Sequence, residues 1–235
     1  MKEILAIIPA RFGSKRIPNK NIVDLDGKPL IYYSIDAAKK SKHITKIIVS
    51  TDGNEIARIS REFGAEIIMR PEELATDTAK ILPVLHHVIN YLKEKENYYP
   101  DIVVLLQPDS PLKTSEEIDK VIEKLLNGDY DSTVSVYENS HPPEWLLLKE
   151  NDEAKFYFGS VPVNIRKQDL KKTYIIDGRV YVVKTDQLMK NKHYILDGKI
   201  GLVDLDKLTS IEVDNYDDLE FVRALKFYER NKNRK

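Results

Sequence analysis

The chain has 235 residues, with 37 Lys and Arg against 38 Asp and Glu and a formal net charge of −1. Hydrophobic residues make up 42% and charged residues 32%, a composition that supports a packed core and excludes an extensively disordered chain. Balanced charge argues against a nucleic-acid partner, and the absence of cysteine removes disulfides, thiolate nucleophiles and Cys-based metal sites. No apolar run reaches the roughly 18 residues of a membrane span. The opening Met1-Lys2-Glu3-Ile4-Leu5 lacks the plan of a signal peptide. A cytoplasmic protein with no membrane partner is therefore expected.

Short apolar runs alternate with 3.6-periodic segments, which predicts βαβ units around a mostly parallel, doubly wound sheet. Ile4 to Ile8 reads as a strand buried on both faces, ended by Pro9. A helix over Leu30 to Lys40 follows, then a strand at Lys46 to Ser50, a helix from Asn54 to Phe63 and a strand at Ala65 to Met69. The stripe Leu82, Leu85, Ile89 and Leu92 predicts a helix from Ile81 to Glu96, with Pro83 tolerated in its first turn. Asp101 to Leu106 is the next buried strand. Thr114 and Glu117 have the spacing of a capping box for a helix through Leu126. Ser132 to Tyr137 and Tyr174 to Lys184 read as strands, and Ser210 to Val213 as a last core strand. A closing helix over Asn215 to Arg230 turns Leu219, Val222, Leu225 and Tyr228 inward, and the tail to Lys235 is expected to fray. Between Glu138 and Lys172 the periodicity breaks. That stretch holds Pro142-Pro143, Trp145 and Phe156-Tyr157-Phe158, and reads as an insertion of hairpin or loop character within one domain spanning 1–235.

The segment after the first strand is Pro9-Ala10-Arg11-Phe12-Gly13-Ser14-Lys15-Arg16-Ile17-Pro18-Asn19-Lys20-Asn21. Ligands of open α/β sheets bind beyond the carboxyl ends of the strands. A loop there with Arg11, Lys15, Arg16 and Lys20, and with backbone accessible at Gly13 and Ser14, is suited to cradling a polyphosphate. A merely solvated basic loop is the alternative. The Walker and Gly-x-Gly-x-x-Gly patterns are absent. Glu212 and Asp214, two residues apart on the expected last strand, would share one face. Asp214 could equally cap the helix that follows. None of His43, His86, His87, His141 and His193 has metal-ligand spacing with another.

The run from Ile8 to Asn21, followed by Gly27-Lys28-Pro29-Leu30, resembles the signature of CMP-sialic acid synthetases (acylneuraminate cytidylyltransferases). Four more segments match in the family's order. They are Arg70-Pro71-x-Glu73-Leu74-Ala75-x-Asp77, Leu105-Leu106-Gln107-Pro108-x-Ser110-Pro111-Leu112, Arg166-x-Gln168-Asp169-Leu170 with Asp177-Gly178-x-x-Tyr181, and Ile211-Glu212-Val213-Asp214. The resemblance implies a Rossmann-like nucleotidyltransferase that joins a nonulosonic acid to CTP, giving the CMP-sugar and pyrophosphate. It implies that Arg11, Lys15 and Lys20 neutralise the triphosphate and that Ser14, Asn21, Arg70 and Asp77 bind the nucleotide side. Gln107, Ser110, Arg166, Gln168, Arg179 and Tyr181 would bind the acceptor, and Asp214 with Glu212 would hold magnesium. It also implies a homodimer, with the 138–172 insertion serving dimerisation and the partner's sugar site. This chain departs from the family pattern at Asp109, where Thr is usual, at Arg179, where a small residue is usual, and at Glu212, where Asp is common. A ketodeoxyoctonate, legionaminate or pseudaminate enzyme, or a nucleotide-binding module without turnover, is the alternative. The Gly13-Ser14-Lys15 and Lys20-Asn21 details favour the sialate branch over the ketodeoxyoctonate one.

Overall fold

The computed structural model describes residues 2–159 and 166–232. In chain order the elements are β1 (Ile4–Pro9), a small hairpin of β2 (Asp24–Leu25) and β3 (Lys28–Pro29), α1 (Leu30–Lys40), β4 (Lys46–Thr51) and α2 (Asn54–Glu62). Then come β5 (Glu66–Met69), α3 (Ile81–Glu96), β6 (Ile102–Leu106), α4 (Ser115–Asn127) and β7 (Ser132–Glu138). A second hairpin, β8 (Leu147–Glu150) and β9 (Glu153–Phe156), precedes β10 (Tyr174–Lys184), α5 (Thr185–Lys190), β11 (Ile200–Asp204) and α6 (Tyr216–Lys232).

Seven strands form the central sheet in the order β11-β7-β10-β6-β1-β4-β5. Six run parallel, and β10 alone is antiparallel to both of its neighbours. The continuous apolar run of β1 is explained by its central place, with both faces covered. Ile4, Ala6 and Ile8 pack into one layer with Ile31 and Ile35 of α1, Ile56 of α2 and Ile118 of α4. Leu5 and Ile7 point to the opposite face and meet Leu82, Leu85 and Ile89 of α3 and Leu188 of α5. A third cluster lies beyond the carboxyl ends of the strands. There Ile17, Leu25, Leu30 and Val213 pack with Leu219 and Val222 of α6.

The capping box at Thr114 forms as the spacing predicts, with the Glu117 amide donating to Thr114 Oγ1 at 3.3 Å and the Thr114 amide to Glu117 Oε2 at 3.0 Å. Pro83 sits in the first turn of α3. Two expectations fail. Ser210 to Val213 is irregular, and the last strand is β11 instead. Val213 is apolar because it packs under Ile17 and α6, and its amide donates to the Asp109 carbonyl at 2.7 Å rather than to a strand. Its burial mimicked the strand signal, whereas β11 is a short edge strand with Ile200 and Leu202 exposed. In α6 Leu219 and Val222 are buried, but Tyr228 is exposed because the helix runs past the third cluster. The 138–172 insertion does contain a hairpin. Its residues 160–165, and the last three of the chain, 233–235, lie outside the described residues.

Candidate active site

The chain runs from β1 outward to β4 and β5, then returns to the other side of β1 for β6. Between the carboxyl ends of β1 and β6 the winding reverses, and crevices for ligands form where it does. The loops that leave these two strands span residues 10–21 and 107–113. A cavity of about 480 Å³ opens between them, walled by Arg11, Ser14, Lys15, Arg16, Lys20, Asn21, Arg70, Asp77, Gln107, Asp109 and Asp214. Ala79, Ile81 and Val84 add an apolar side.

Several wall residues are held by local structure. Ile17, fully buried in the third cluster, anchors the middle of the basic loop. Asn19 adopts a left-handed φ of 55°, a conformation asparagine tolerates, and this turns Lys20 inward. Asn21 is buried, and its amide nitrogen donates to the Arg11 carbonyl at 2.8 Å, closing the loop on itself. The Phe12 amide donates to Asp52 Oδ1 at 2.8 Å. Arg70 is 8% exposed and donates to the Ser50 carbonyl at 2.5 Å and the Leu74 carbonyl at 3.3 Å. Its Nε is buried without a partner.

Charges of both signs interleave across the cavity. Lys20 Nζ bridges Asp109 Oδ2 at 3.1 Å and Asp214 Oδ1 at 3.3 Å, and Arg16 meets Asp214 Oδ2 at 2.9 Å. Against the upward pull of partial burial, Lys20 and Arg16 hold the Asp214 carboxyl below its ordinary value. Asp77 takes Lys15 at 2.6 Å and Arg11 as well, and these two cations lower its pKa. Asp214 is not the helix cap. Asn215 accepts the Asp218 amide at 3.0 Å, and Asp218 accepts the amides of Asp214 and Asn215, which leaves the Asp214 side chain free to face the cavity.

Glu212 lies beside the cavity wall rather than in it. The residue as a whole is exposed, yet its carboxyl end packs onto Gly178, where a Cβ would fall 1.7 Å from Oε1. Burial of that end and the neighbouring Asp109 and Asp214 carboxylates push its pKa up to about 7. Gly178 also has φ +72°, so glycine is required there twice over. It sits where the β10–β7 register shifts between Ile176 and Tyr181, an irregularity of the kind that re-aims side chains near sites.

Of the residues read from sequence, Arg11, Ser14, Lys15, Lys20, Asn21, Arg70, Asp77, Gln107 and Asp214 are brought together on the cavity. Five acceptor-side candidates are not. Arg179 is fully buried, and all five of its N–H groups are used. They reach Asp177, Glu117, Thr209 Oγ1, Ser210 Oγ and the Asp206 carbonyl at 2.7–3.2 Å. It is neither a substrate arginine nor a solvated edge residue, because β10 is central and its side chain turns into the core. Tyr181 is 7% exposed and packs in the α3–α5 layer, where burial pushes its phenol pKa up. Arg166 pairs with Asp169 at 3.1 Å, and with Gln168 it lies exposed on the insertion, away from the cavity lining. Ser110 is fully buried, with an unpartnered Oγ. Asp109 and Lys113 join the site only in the fold. Asp109 occupies a motif position with a changed residue, a readable signal. Lys113 follows the motif as an ordinary lysine and gives none.

A doubly wound sheet whose basic loop and acidic segment converge at the winding reversal defines an α/β protein of the nucleotide-handling class. The sequence profile of the cytidylyltransferase family matches residues 5–232, and the chain belongs to that family. It is 31% identical over 233 residues to the N-acylneuraminate cytidylyltransferase of Escherichia coli O18:K1:H7, covering 99% of this chain and 53% of that protein. It is 34% identical to the CMP-N,N'-diacetyllegionaminic acid synthase of Legionella pneumophila, covering 94% and 95% of the two chains. The chain thus spans about half the length of the first relative and nearly all of the second. A solved CMP:2-keto-3-deoxy-manno-octonic acid synthetase complexed with CTP shares the fold, with TM-score 0.73 at 20% identity over 97% of this chain and 99% of that one.

Proposed function

We propose that the protein transfers the cytidylyl group of CTP to a nonulosonic acid of the sialic type, releasing pyrophosphate. One observation carries this reading. At the winding reversal, Lys20 lies between Asp109 and Asp214 while Arg11, Lys15 and Arg16 ring the same cavity. In the reaction the anomeric hydroxyl attacks the α-phosphorus. A new O–P bond forms, the bond between the α-phosphorus and the bridging oxygen breaks with its electron pair leaving on pyrophosphate, and the hydroxyl proton passes to water. Negative charge grows on phosphate oxygens, so catalysis reduces mostly to positioning and electrostatic stabilisation. Arg11 and Lys15 would release Asp77 and take triphosphate oxygens instead. Gln107, at the end of β6, would face the acceptor.

Magnesium fits the acidic side. Asp109 Oδ1 is buried with no partner, and Glu212 is raised first by burial and then by the neighbouring Asp109 and Asp214 carboxylates, a repulsion that a divalent ion would relieve. Among the described residues no three His, Asp or Glu side chains form a ready cage. Such a setting suits an ion held by one or two carboxylates together with substrate phosphates. Asp214, with Asp109 and Glu212 beside it, would hold the ion, which when bound neutralises phosphate charge.

The assembly proposed is a cytoplasmic homodimer. Its support is the apolar surface of the insertion, where Trp145, Leu147, Phe156, Tyr157 and Phe158 are exposed, as are Tyr174 and Ile176 of β10. Arg166 and Gln168, which do not line the cavity of their own chain, would then serve the partner's. Light scattering at micromolar concentration should give a dimer, and a monomer would remove this part of the reading. The activity is tested by pyrophosphate release from CTP and magnesium across a panel of nonulosonic acids that includes sialic, legionaminic, pseudaminic and ketodeoxyoctonic acids. Release with a sialic-type acid is expected. Release with none leaves a binding module.

A further inference from the structure

Lys113 is a buried cation that the reading above does not use. It follows the turn over residues 107–110 and precedes the Thr114 cap of α4, and it is 4% exposed. Its ammonium donates to Ser34 Oγ of α1 at 2.9 Å, to the Gln107 carbonyl at 2.6 Å and to the Ser110 carbonyl at 2.5 Å. Three donors meet three acceptors, and none of the three is a carboxylate. The charged groups that face it are Asp109 on its own turn, Glu117 on α4, and Asp177 and Arg179 on β10. From α1 it meets the Ser34 hydroxyl.

Burying an ammonium costs more than burying a methylene chain of the same length. Packing alone therefore gives no reason for lysine here. The bonds it makes do. Gln107 and Ser110 are the two ends of the turn, and between them Pro108 and Asp109 line the cavity together with Gln107 itself. Asp109 in turn takes Lys20 on its carboxylate and the Val213 amide on its carbonyl. The basic loop and the acidic segment both rest on this turn.

We propose that Lys113 is a positioning residue: by tying the Gln107 and Ser110 carbonyls to α1, it sets how Gln107 and Asp109 are presented to the substrates. The proposal rests on the cytidylyltransferase reading for its kinetic consequences and on geometry alone for the hold on the turn.

Two variants and two readouts test it. K113M keeps the volume and removes the donors, and K113R keeps buried donors. Hydrogen exchange of the peptide spanning residues 107–112 needs no turnover. K113M should exchange there at least about tenfold faster, with the rest of the sheet unchanged. In steady state K113M should lose between about 10- and 100-fold in kcat, the scale of a catalytic group displaced by about an ångström, with little change in KM for CTP. K113R should recover most of both. Wild-type exchange at 107–112 in K113M, or K113R as impaired as K113M, overturns the proposal. If the wild-type protein releases no pyrophosphate with any acceptor, the functional reading fails instead, and exchange alone decides the hold on the turn. Should K113M not fold, pH profiles replace it. Burial pushes the Lys113 ammonium down to about 7. The wild-type kcat should therefore fall as pH rises through that value and one donor is lost, a limb that K113R, which stays charged, should lack. Identical profiles for the two proteins refute the role.

Discussion

Replacing Arg179 with methionine separates a structural arginine from a substrate arginine. The guanidinium is fully buried, and Asp177, one of its carboxylate partners, is 3% exposed. Removing it strands the Asp177 and Glu117 carboxylates, while Thr209 Oγ1 and Ser210 Oγ keep their bonds to the Asp206 carbonyl. Breaking a buried ion pair costs about 3–5 kcal/mol, and two carboxylates stranded together put the cost at the upper end. A loss of about 5 kcal/mol follows, a third or more of the stability of a typical domain. In urea, with a slope of about 2–3 kcal/mol per molar, the unfolding midpoint should drop by about 2 M. R179K keeps the charge but has three donors for five places and should lose about half as much. Adding D177N to R179M removes one stranded charge and should restore part of the loss. Circular dichroism during urea titration, run beside steady-state kinetics, measures all three. A wild-type midpoint for R179M together with a raised acceptor KM would refute the reasoning and return Arg179 to the substrate.

D214N should leave the melting temperature within about 2 °C of wild type and reduce turnover by about 100-fold or more, because Asp214 faces the cavity and does not cap α6; pyrophosphate release with the magnesium concentration varied checks it. G178A places a Cβ against the Glu212 carboxylate at φ +72°, and should cost at least about 1–3 kcal/mol while displacing Glu212; thermal melting and the magnesium dependence of turnover report the two effects. D77N removes the carboxylate now held by Arg11 and Lys15. If these cations bind triphosphate, they no longer have to leave Asp77, and calorimetry should show CTP binding at least as tight as in wild type, while a tenfold weaker Kd would place Asp77 on the nucleotide itself.

The local signals in the chain carried much of the architecture. β1, α3, α4 and β10 were legible because a doubly buried strand, a 3.6-periodic stripe and a capping box are each written in neighbouring residues. The basic loop and the acidic residue Asp214 were legible as a set because charge of one sign gathers within a few positions. What decided the remainder acts across sequence distance. Val213 reads as a strand residue until α6 and Ile17 are seen to cover it, and β11 is missed because an edge strand needs to bury only one face. Arg179 and Lys113 look like any surface cation. Only packing against β7, α4 and α1 withdraws them from water and turns them to buried acceptors. Composition and order set the charges of this protein. The tertiary structure alone decides which of those charges face the cavity and which, buried beneath it, hold its walls, because desolvation depends on neighbours that the sequence does not place side by side.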